Sequence, residues 1–220
     1  MKNFFNLDNP FFAFMADLTD LILLNIIFLF TCIPVITIGT SISALHYVTL
    51  KKVKKEDGYV FQEYWKSFKE NFKQATGLWL IYVLFLFFFL MDLSIFQMVS
   101  VPKILSILIG AVFFFVQITA MYVFVLQCRF YNPIIVTLKN GLLMSILNIG
   151  WTLLLLVIYA FPFVIMFRWP FFIGVYILIG AAGPTFVASF IWKHVLKKYE
   201  PAEDVEEVDK DEMFHLSNEE

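Results

Sequence analysis

The chain has 220 residues, of which 60% are apolar, 28 are phenylalanine and only 15% carry charge. A soluble domain of this size could not cover so much apolar surface with its own polar residues, so the composition excludes an ordinary soluble domain and predicts one membrane domain. The charge is uneven. From Glu200 onward the chain has ten acidic residues and one lysine, which leaves 15 basic and 8 acidic residues in the rest.

About 20 apolar residues, at a rise of 1.5 Å each, are needed to span the roughly 30 Å hydrocarbon core of a bilayer once. By this measure the sequence predicts an all-α, polytopic membrane helix bundle with five to six embedded helices. We place the helices at residues 11–33, 35–53, 75–92, 104–127, 141–167 and 171–193.

Two further segments complete the predicted domain organisation. Residues 59–74 place aromatic side chains on one helical stripe beside lysines, which predicts an amphipathic helix on the cytoplasmic face of the membrane. Residues 200–220 contain too little apolar surface to fold, so we expect an acidic, disordered tail after an integral membrane domain of residues 1–199.

Charge also predicts the orientation, because lysines and arginines collect on the cytoplasmic side of short loops. Seven lysines lie between the first hydrophobic region and the next: Lys51, Lys52, Lys54, Lys55, Lys66, Lys69 and Lys73. We therefore expect this loop to face the cytoplasm. The lysines that follow the last segment predict a cytoplasmic C-terminus as well.

Short internal sequence matches indicate on which side of the membrane the N-terminus lies. Two share an offset of 123 residues: Asn9-Pro10 with Asn132-Pro133, and Leu24-Asn25-Ile26 with Leu147-Asn148-Ile149. Asn-Pro suits a helix start, with asparagine capping and proline at the first helical position. A third match, Gly39 with Gly183, has an offset of 144. If the matches result from a duplication, they predict two related hairpins around a central helix pair. Each hairpin would break near Pro34 or Pro162, and the N-terminus would lie on the cytoplasmic side. Chance matches and a five-span protein with its N-terminus outside are the alternative.

Polar residues within apolar segments need partners in protein or in a water-lined cavity, which makes them candidate functional or structural sites. We select Asp17, Asp20, Asn25, Thr37, Gly39, Ser41, Asn140 and Asn148. The break from Pro34 to Ser41 would be a binding site if its backbone faces a solute, as in some transporters. A tight turn between two packed helices is the alternative.

For the asparagines and the aspartates, the sequence also leaves more than one role open. Asn25 and Asn148 are expected to join helices through their amides, and in a true repeat they would face each other. Asp17 and Asp20 would either lie at the interface and complement the positive end of their helix, or lie deeper on a proton or cation path. At depth they would also suit pairing with a lysine such as Lys139.

No pattern of a known reaction is present. His46, His194 and His215 have no second ligand at metal spacing, and the chain lacks a Gly-rich phosphate loop, a Gly-x-Ser-x-Gly elbow and a paired cysteine motif. We therefore predict no catalytic residue, no cofactor, no metal site and no nucleic-acid partner, so the protein is not expected to be an enzyme. An intramembrane enzyme that uses unfamiliar residues is the less favoured alternative.

Several motifs together resemble the YesL family of small bacterial integral membrane proteins. They cover residues 6–11, 24–26, 33–41, 44–47, 68–76, 131–133 and 138–140, so the resemblance extends over most of the chain except the acidic tail. The resemblance implies a multi-pass protein of the bacterial plasma membrane. The family is found mainly in Gram-positive bacteria, its genes often lie beside genes for sugar uptake and polysaccharide breakdown, and it has no established activity. It brings no catalytic or binding residues with it.

Two functions follow as hypotheses. The first is an accessory or regulatory membrane partner of carbohydrate uptake, which would contact sugar transporter subunits and would also suit a homo-oligomer. The second is a small permease whose solute path runs by the broken helices and the asparagine pair. In both, the lipid bilayer is the main partner of the chain.

Overall fold

The structure is a computed structural model that describes residues 10–56, 58–98 and 102–199. Within these residues the chain forms eight α-helices and no strand, which confirms the predicted all-α bundle. The helices are α1 (Pro10–Thr31), α2 (Ile38–Val53), α3 (Val60–Met98), α4 (Lys103–Arg129), α5 (Ile134–Leu147), α6 (Ile149–Arg168), α7 (Ile173–Ile179) and α8 (Ala182–Lys197). The predicted acidic tail and the capping residue Asn9 lie outside the described residues.

Four helices, α1, α3, α4 and α6, are long and apolar enough to cross a membrane. The pair α7 and α8 passes the same test when taken together, although the two are bent by 50° at their junction, so the described chain has four or five candidate spans. The segment predicted at 35–53 is a short helix, α2, of 16 residues that begins after a 3-10 turn at Val35–Thr37. It does not supply a sixth span of full length.

α3 differs from the prediction. The amphipathic segment 59–74 and the apolar segment 75–92 were expected as separate elements, but they form one helix of 39 residues. Its first half buries Val60, Tyr64 and Ser67 against the rest of the protein, while Phe61 and Phe72 are exposed. The helix continues because no proline or glycine pair interrupts it, and its first half has a stripe that other helices cover.

The region after α4 is also divided differently. The segment predicted at 141–167 is split at Asn148, whose φ of −112° and ψ of 39° end α5 and begin α6. The expected break at Pro162 is wrong, because this proline lies inside α6. Gly180 and Ala181 instead form the break, between α7 and α8. Pro133 precedes the first residue of α5, and no side chain caps that helix, so the expected asparagine cap is absent there.

The internal repeat has one structural counterpart. α2 and α8 are both 16 residues long, begin 144 positions apart, and place Gly39 and Gly183 at their second residue. They pack against each other, and the Ser189 hydroxyl donates to Thr49 Oγ1 at 2.8 Å. The asparagines of the repeat do not correspond, because Asn25 lies within α1 whereas Asn148 lies between two helices.

Two regions of the bundle differ in packing. The packed half comprises α1, α2, α8, residues 60–79 of α3 and residues 118–129 of α4, and it holds most of the buried side chains. Small hydroxyl residues allow close approach here, as where the Ser43 hydroxyl donates to the Phe124 carbonyl at 3.2 Å.

The second region is the α3–α4 arm, residues 80–93 and 103–117. No residue within these two ranges is buried. The arm is almost entirely apolar, and the Phe89 and Phe113 rings stack at 3.8 Å between its two helices. Such a surface suits acyl chains and would be unstable in water.

Candidate functional site

One side chain from α1 holds the break between α7 and α8. Asn25 is fully buried, and its amide nitrogen donates to the Ile177 carbonyl at 2.7 Å. Its amide oxygen accepts the backbone N–H groups of Ala181 and Ala182, each at 2.9 Å. Asn25 therefore satisfies backbone groups on both sides of the bend, which a bilayer interior could not do.

A cavity of about 330 Å³, which we name the central cavity, lies beside this break. Every helix except α5 contributes to its wall. Seven of the lining side chains are aromatic: Phe28, Trp79, Tyr82, Phe124, Tyr159, Phe163 and Tyr176. The other polar lining residues are His46, Gln117 and Thr185. The volume is at the lower end of the range of small-molecule sites, roughly 300–1,000 Å³.

His46 is the most unusual of these residues. Its side chain is 5% exposed and lines the cavity, and within the described chain its Nδ1 atom is buried without a hydrogen-bond partner. The ring meets Tyr159 and Trp192 edge-on, with centroids 6.3 Å away in each case. An unpaired buried nitrogen costs about 1–3 kcal/mol, so it is a natural place for a bound molecule to donate or accept a hydrogen bond.

Hydrogen bonds fix the orientation of several other lining groups. The Tyr82 hydroxyl donates to Gln117 Oε1 at 2.5 Å, which joins α3 to α4 at the wall. The Trp79 indole donates to the Val35 carbonyl at 2.8 Å and so ties α3 to the turn before α2. These hydrogen bonds therefore fix the wall of the cavity without a bound ligand.

The central cavity is uncharged. No Asp, Glu, Lys or Arg is among the residues that the structure shows lining it. An ionic solute would lose its hydration there without gaining a counter-charge, at a high cost in free energy. The cavity therefore favours a neutral molecule with an apolar surface and a few hydrogen-bonding groups.

The turn from Pro34 to Ser41 is closed by its own side chains. The Thr37 hydroxyl lies 2.6 Å from the Thr31 carbonyl and 2.7 Å from that of Pro34, and the Ser41 hydroxyl donates to the Thr37 carbonyl at 3.0 Å. A Cβ atom on Gly39 would lie 2.5 Å from Trp79 Cβ, so α2 and α3 are in close contact. This geometry agrees with the tight-turn interpretation of the break.

Asp17 and Asp20 pair with a lysine, as one interpretation expected, but the lysine is Lys52 and not Lys139. The Lys52 ammonium lies 2.8 Å from Asp17 Oδ1 and 2.6 Å from Asp20 Oδ2. Burial opposes the charge of Lys52, but the hydrogen bonds that its ammonium donates to the two carboxylates outweigh this effect, and the pKa of Lys52 is raised. The pairing makes α1 and α2 an antiparallel hairpin, with the start of α1 beside the end of α2.

The two asparagines have separate roles. The Asn148 amide donates to the Met144 carbonyl at 3.0 Å and to the Tyr199 hydroxyl at 3.4 Å, while Asn25 binds α7 and α8. The structure therefore gives them different partners. Asn140 is half-buried on α5 and does not line the central cavity.

None of the eight selected residues lines the central cavity, although Asn25 contacts the segment that does. Sequence reasoning considered His46 only as a metal ligand and did not draw attention to Tyr159 or Thr185. A signal for the break was present in the run Gly180-Ala181-Ala182-Gly183-Pro184, whose small residues and proline are unusual within an apolar helix. Among the described residues, no group of histidine, cysteine or acidic side chains could hold a metal ion.

Comparison with known families gives one match. Residues 21–93 match the model of a family described as "Protein of unknown function, DUF624". The matched part covers the second half of α1, all of α2 and most of α3, which is about a third of the chain. Nothing matches among curated proteins, and nothing matches among solved structures.

Proposed function

We propose that this protein is a small permease of the bacterial plasma membrane that takes a neutral solute through the central cavity. The observation that carries the proposal is an uncharged, aromatic-lined cavity placed directly against a broken helix whose break is held by Asn25. Discontinuous helices beside solute sites are a recurring device of transporters.

The chemistry of the wall indicates the class of solute. Aromatic rings favour the apolar face of a small molecule, while His46, Gln117 and Thr185 offer hydrogen bonds. A monosaccharide has this combination of a C–H face and hydroxyl groups. The resemblance to the YesL family, whose genes often lie beside sugar uptake genes, supports testing neutral sugars first.

The test is solute flux into vesicles reconstituted with the purified protein alone. We expect uptake of at least one labelled neutral mono- or disaccharide, and we expect His46→Phe to reduce it more than ten-fold, because removal of a hydrogen bond within such a site costs about 1.5 kcal/mol or more. His194→Phe is the matched control, since His194 is exposed and lies outside the cavity. Uptake no faster than into vesicles without protein, for every sugar tested, would contradict the proposal.

A second function, an accessory partner of carbohydrate uptake, is favoured by a different surface. The first half of α3 exposes Phe61 and Phe72 beside Lys66, Lys69 and Lys73. Exposed aromatic groups next to cations suit a protein or membrane-surface contact. We propose that this face lies at the cytoplasmic side, as the lysines indicate, together with both chain termini.

Crosslinking in the native membrane separates the two functions. Copurification with sugar transporter subunits that is lost in Lys66→Glu/Lys69→Glu, without flux by the protein alone, would support the accessory function. Flux without such a partner would support the permease. Self-crosslinking alone would identify a homo-oligomer and would leave flux to decide between them.

A further inference from the structure

A second cavity shares part of its wall with the central cavity. This groove, of about 430 Å³, is formed by α3, α4 and α5, and its wall is apolar except for Tyr82, Thr119 and Lys139. On α4 it runs from Val112 to Phe124, which corresponds to a length of about 18 Å at 1.5 Å per residue. Tyr82, Ala120 and Phe124 line both cavities.

Lys139 is the single charged residue among the described side chains that line this groove. It is exposed on α5, and no ion pair to a carboxylate is formed by it within the described chain. α5 is held against α4 at this height, since a Cβ atom on Gly141 would lie 2.6 Å from Val123 Cγ2. A close helix contact thus fixes a lysine at the edge of an apolar groove.

A lysine at the edge of an apolar groove attracts an anion. A cation facing acyl chains is costly unless it reaches water or a counter-charge, and basic groups between membrane helices bind anionic lipid headgroups. The apolar wall can hold a chain but cannot hydrate a polar molecule. A ligand that satisfies both parts has a long hydrocarbon chain and a negative headgroup.

We infer that the α3–α4–α5 groove binds an anionic phospholipid of the surrounding bilayer, with an acyl chain along α4 and the headgroup phosphate on Lys139. The site is independent of the solute proposed for the central cavity. Because the two cavities share part of one wall, a lipid in the groove also contacts Tyr82, whose hydroxyl donates to Gln117 on the central cavity.

Native mass spectrometry of the purified full chain tests the inference. The protein is exchanged into detergent with equal amounts of phosphatidylglycerol and phosphatidylcholine of identical chains. We expect about a five-fold preference for phosphatidylglycerol, the equivalent of about 1 kcal/mol from one lysine near an anionic headgroup. Lys139→Gln should abolish the preference. Lys103→Gln, which changes an exposed lysine outside the groove, should keep it.

Two further measurements distinguish the loss of the lipid site from misfolding of a variant. Lys139→Arg keeps the charge and should keep the preference, so loss in this variant as well as in Lys139→Gln would contradict a charge-based site. A phosphatidylglycerol with a photoreactive group near its chain end should label peptides around Val112 and Phe115. Equal retention of the two lipids by the unaltered protein, or equal labelling of α1 and α6, would overturn the inference.

Discussion

The packed half and the α3–α4 arm are made from similarly apolar sequences but are stabilised by different surroundings. In the packed half, buried polar groups such as Asn25, Thr40 and Ser189 are paired with neighbouring helices. In the arm, no side chain of residues 80–93 or 103–117 is buried, and most of the phenylalanine rings are exposed. Hydropathy alone therefore predicts where the helices are, while paired polar residues show where one helix must contact another.

The largest effect is expected where the packed half bridges the helix break. Asn25→Leu keeps the volume but leaves the N–H groups of Ala181 and Ala182 and the Ile177 carbonyl unsatisfied. Each such group costs about 1–3 kcal/mol, so thermal unfolding in detergent micelles should show a loss of several kcal/mol.

Asn140→Leu is the matched control, because this half-buried residue does not line the central cavity or hold the break. Its unfolding temperature should stay close to that of the unaltered protein. Equal stability of the two variants would show that the break is not held by Asn25.

A smaller effect is expected at a close helix contact of the packed half. In Gly39→Ala the new methyl group would lie 2.5 Å from Trp79 Cβ and 2.6 Å from the Ala75 carbonyl oxygen, so α2 and α3 must separate. We expect a loss of about 1–3 kcal/mol in denaturant titration, as for other overpacked sites.

Gly150→Ala provides the comparison, since no atom lies within 4 Å of a Cβ atom there. This variant should be neutral or more stable by up to about 1 kcal/mol, because alanine favours a helix over glycine. A Gly39→Ala protein as stable as Gly150→Ala would contradict the close contact between α2 and α3 in the folded protein.

The ion pairs at the end of the packed half should contribute less. Asp17 and Asp20 have side chains that are 56% and 42% exposed, so Lys52→Gln should cost only about 0.2–1 kcal/mol for each pair. Because the folded pKa of Lys52 is raised, this contribution is complete below the ordinary lysine pKa and is lost as the pH rises through the raised value.

A double-mutant cycle of Lys52→Gln with Asp20→Asn measures this coupling, and the coupling should shrink at high salt. Lys69→Gln, on the exposed face of α3, should show no coupling to Asp20→Asn. Additive effects of Lys52→Gln and Asp20→Asn at low salt would refute the proposed pairing.

The smallest effect is expected in the arm. Phe88 is 57% exposed, so Phe88→Ala should change the free energy of unfolding by about 0.5 kcal/mol or less in lipid-like micelles. Leu24→Ala, at a fully buried position on α1, should cost about 2–5 kcal/mol in the same assay. Similar losses in the two variants would mean that the arm is packed against protein in the folded state.

The sequence predicted the helical class and most helix positions because hydrophobic length is a local property. It failed where tertiary contacts decide. α3 continues through residue 74 because its first half is covered by α2, and the break in the last segment lies at Gly180, where Asn25 from a distant helix can replace the lost helical hydrogen bonds. Pro162 was the stronger local signal, yet the helix accommodates it.

The candidate site was less accessible to sequence reasoning. Asn25 and the aspartates were selected because polar groups in apolar segments are conspicuous, but their partners are 32 or more residues away. His46 and Tyr159 look like ordinary members of their helices until the bundle brings them to one cavity. Pro184, near the start of α8, lines the same cavity.

The continuous α3 has a mechanical consequence. At 39 residues it is a rod of about 58 Å, roughly twice the thickness of the hydrocarbon core, with Trp79 and the cavity wall near its midpoint. Pivoting such a rod by about 10° at its midpoint displaces each end by about 5 Å. Any rearrangement of the cavity that tilts α3 therefore also displaces the lysine-bearing end of this helix.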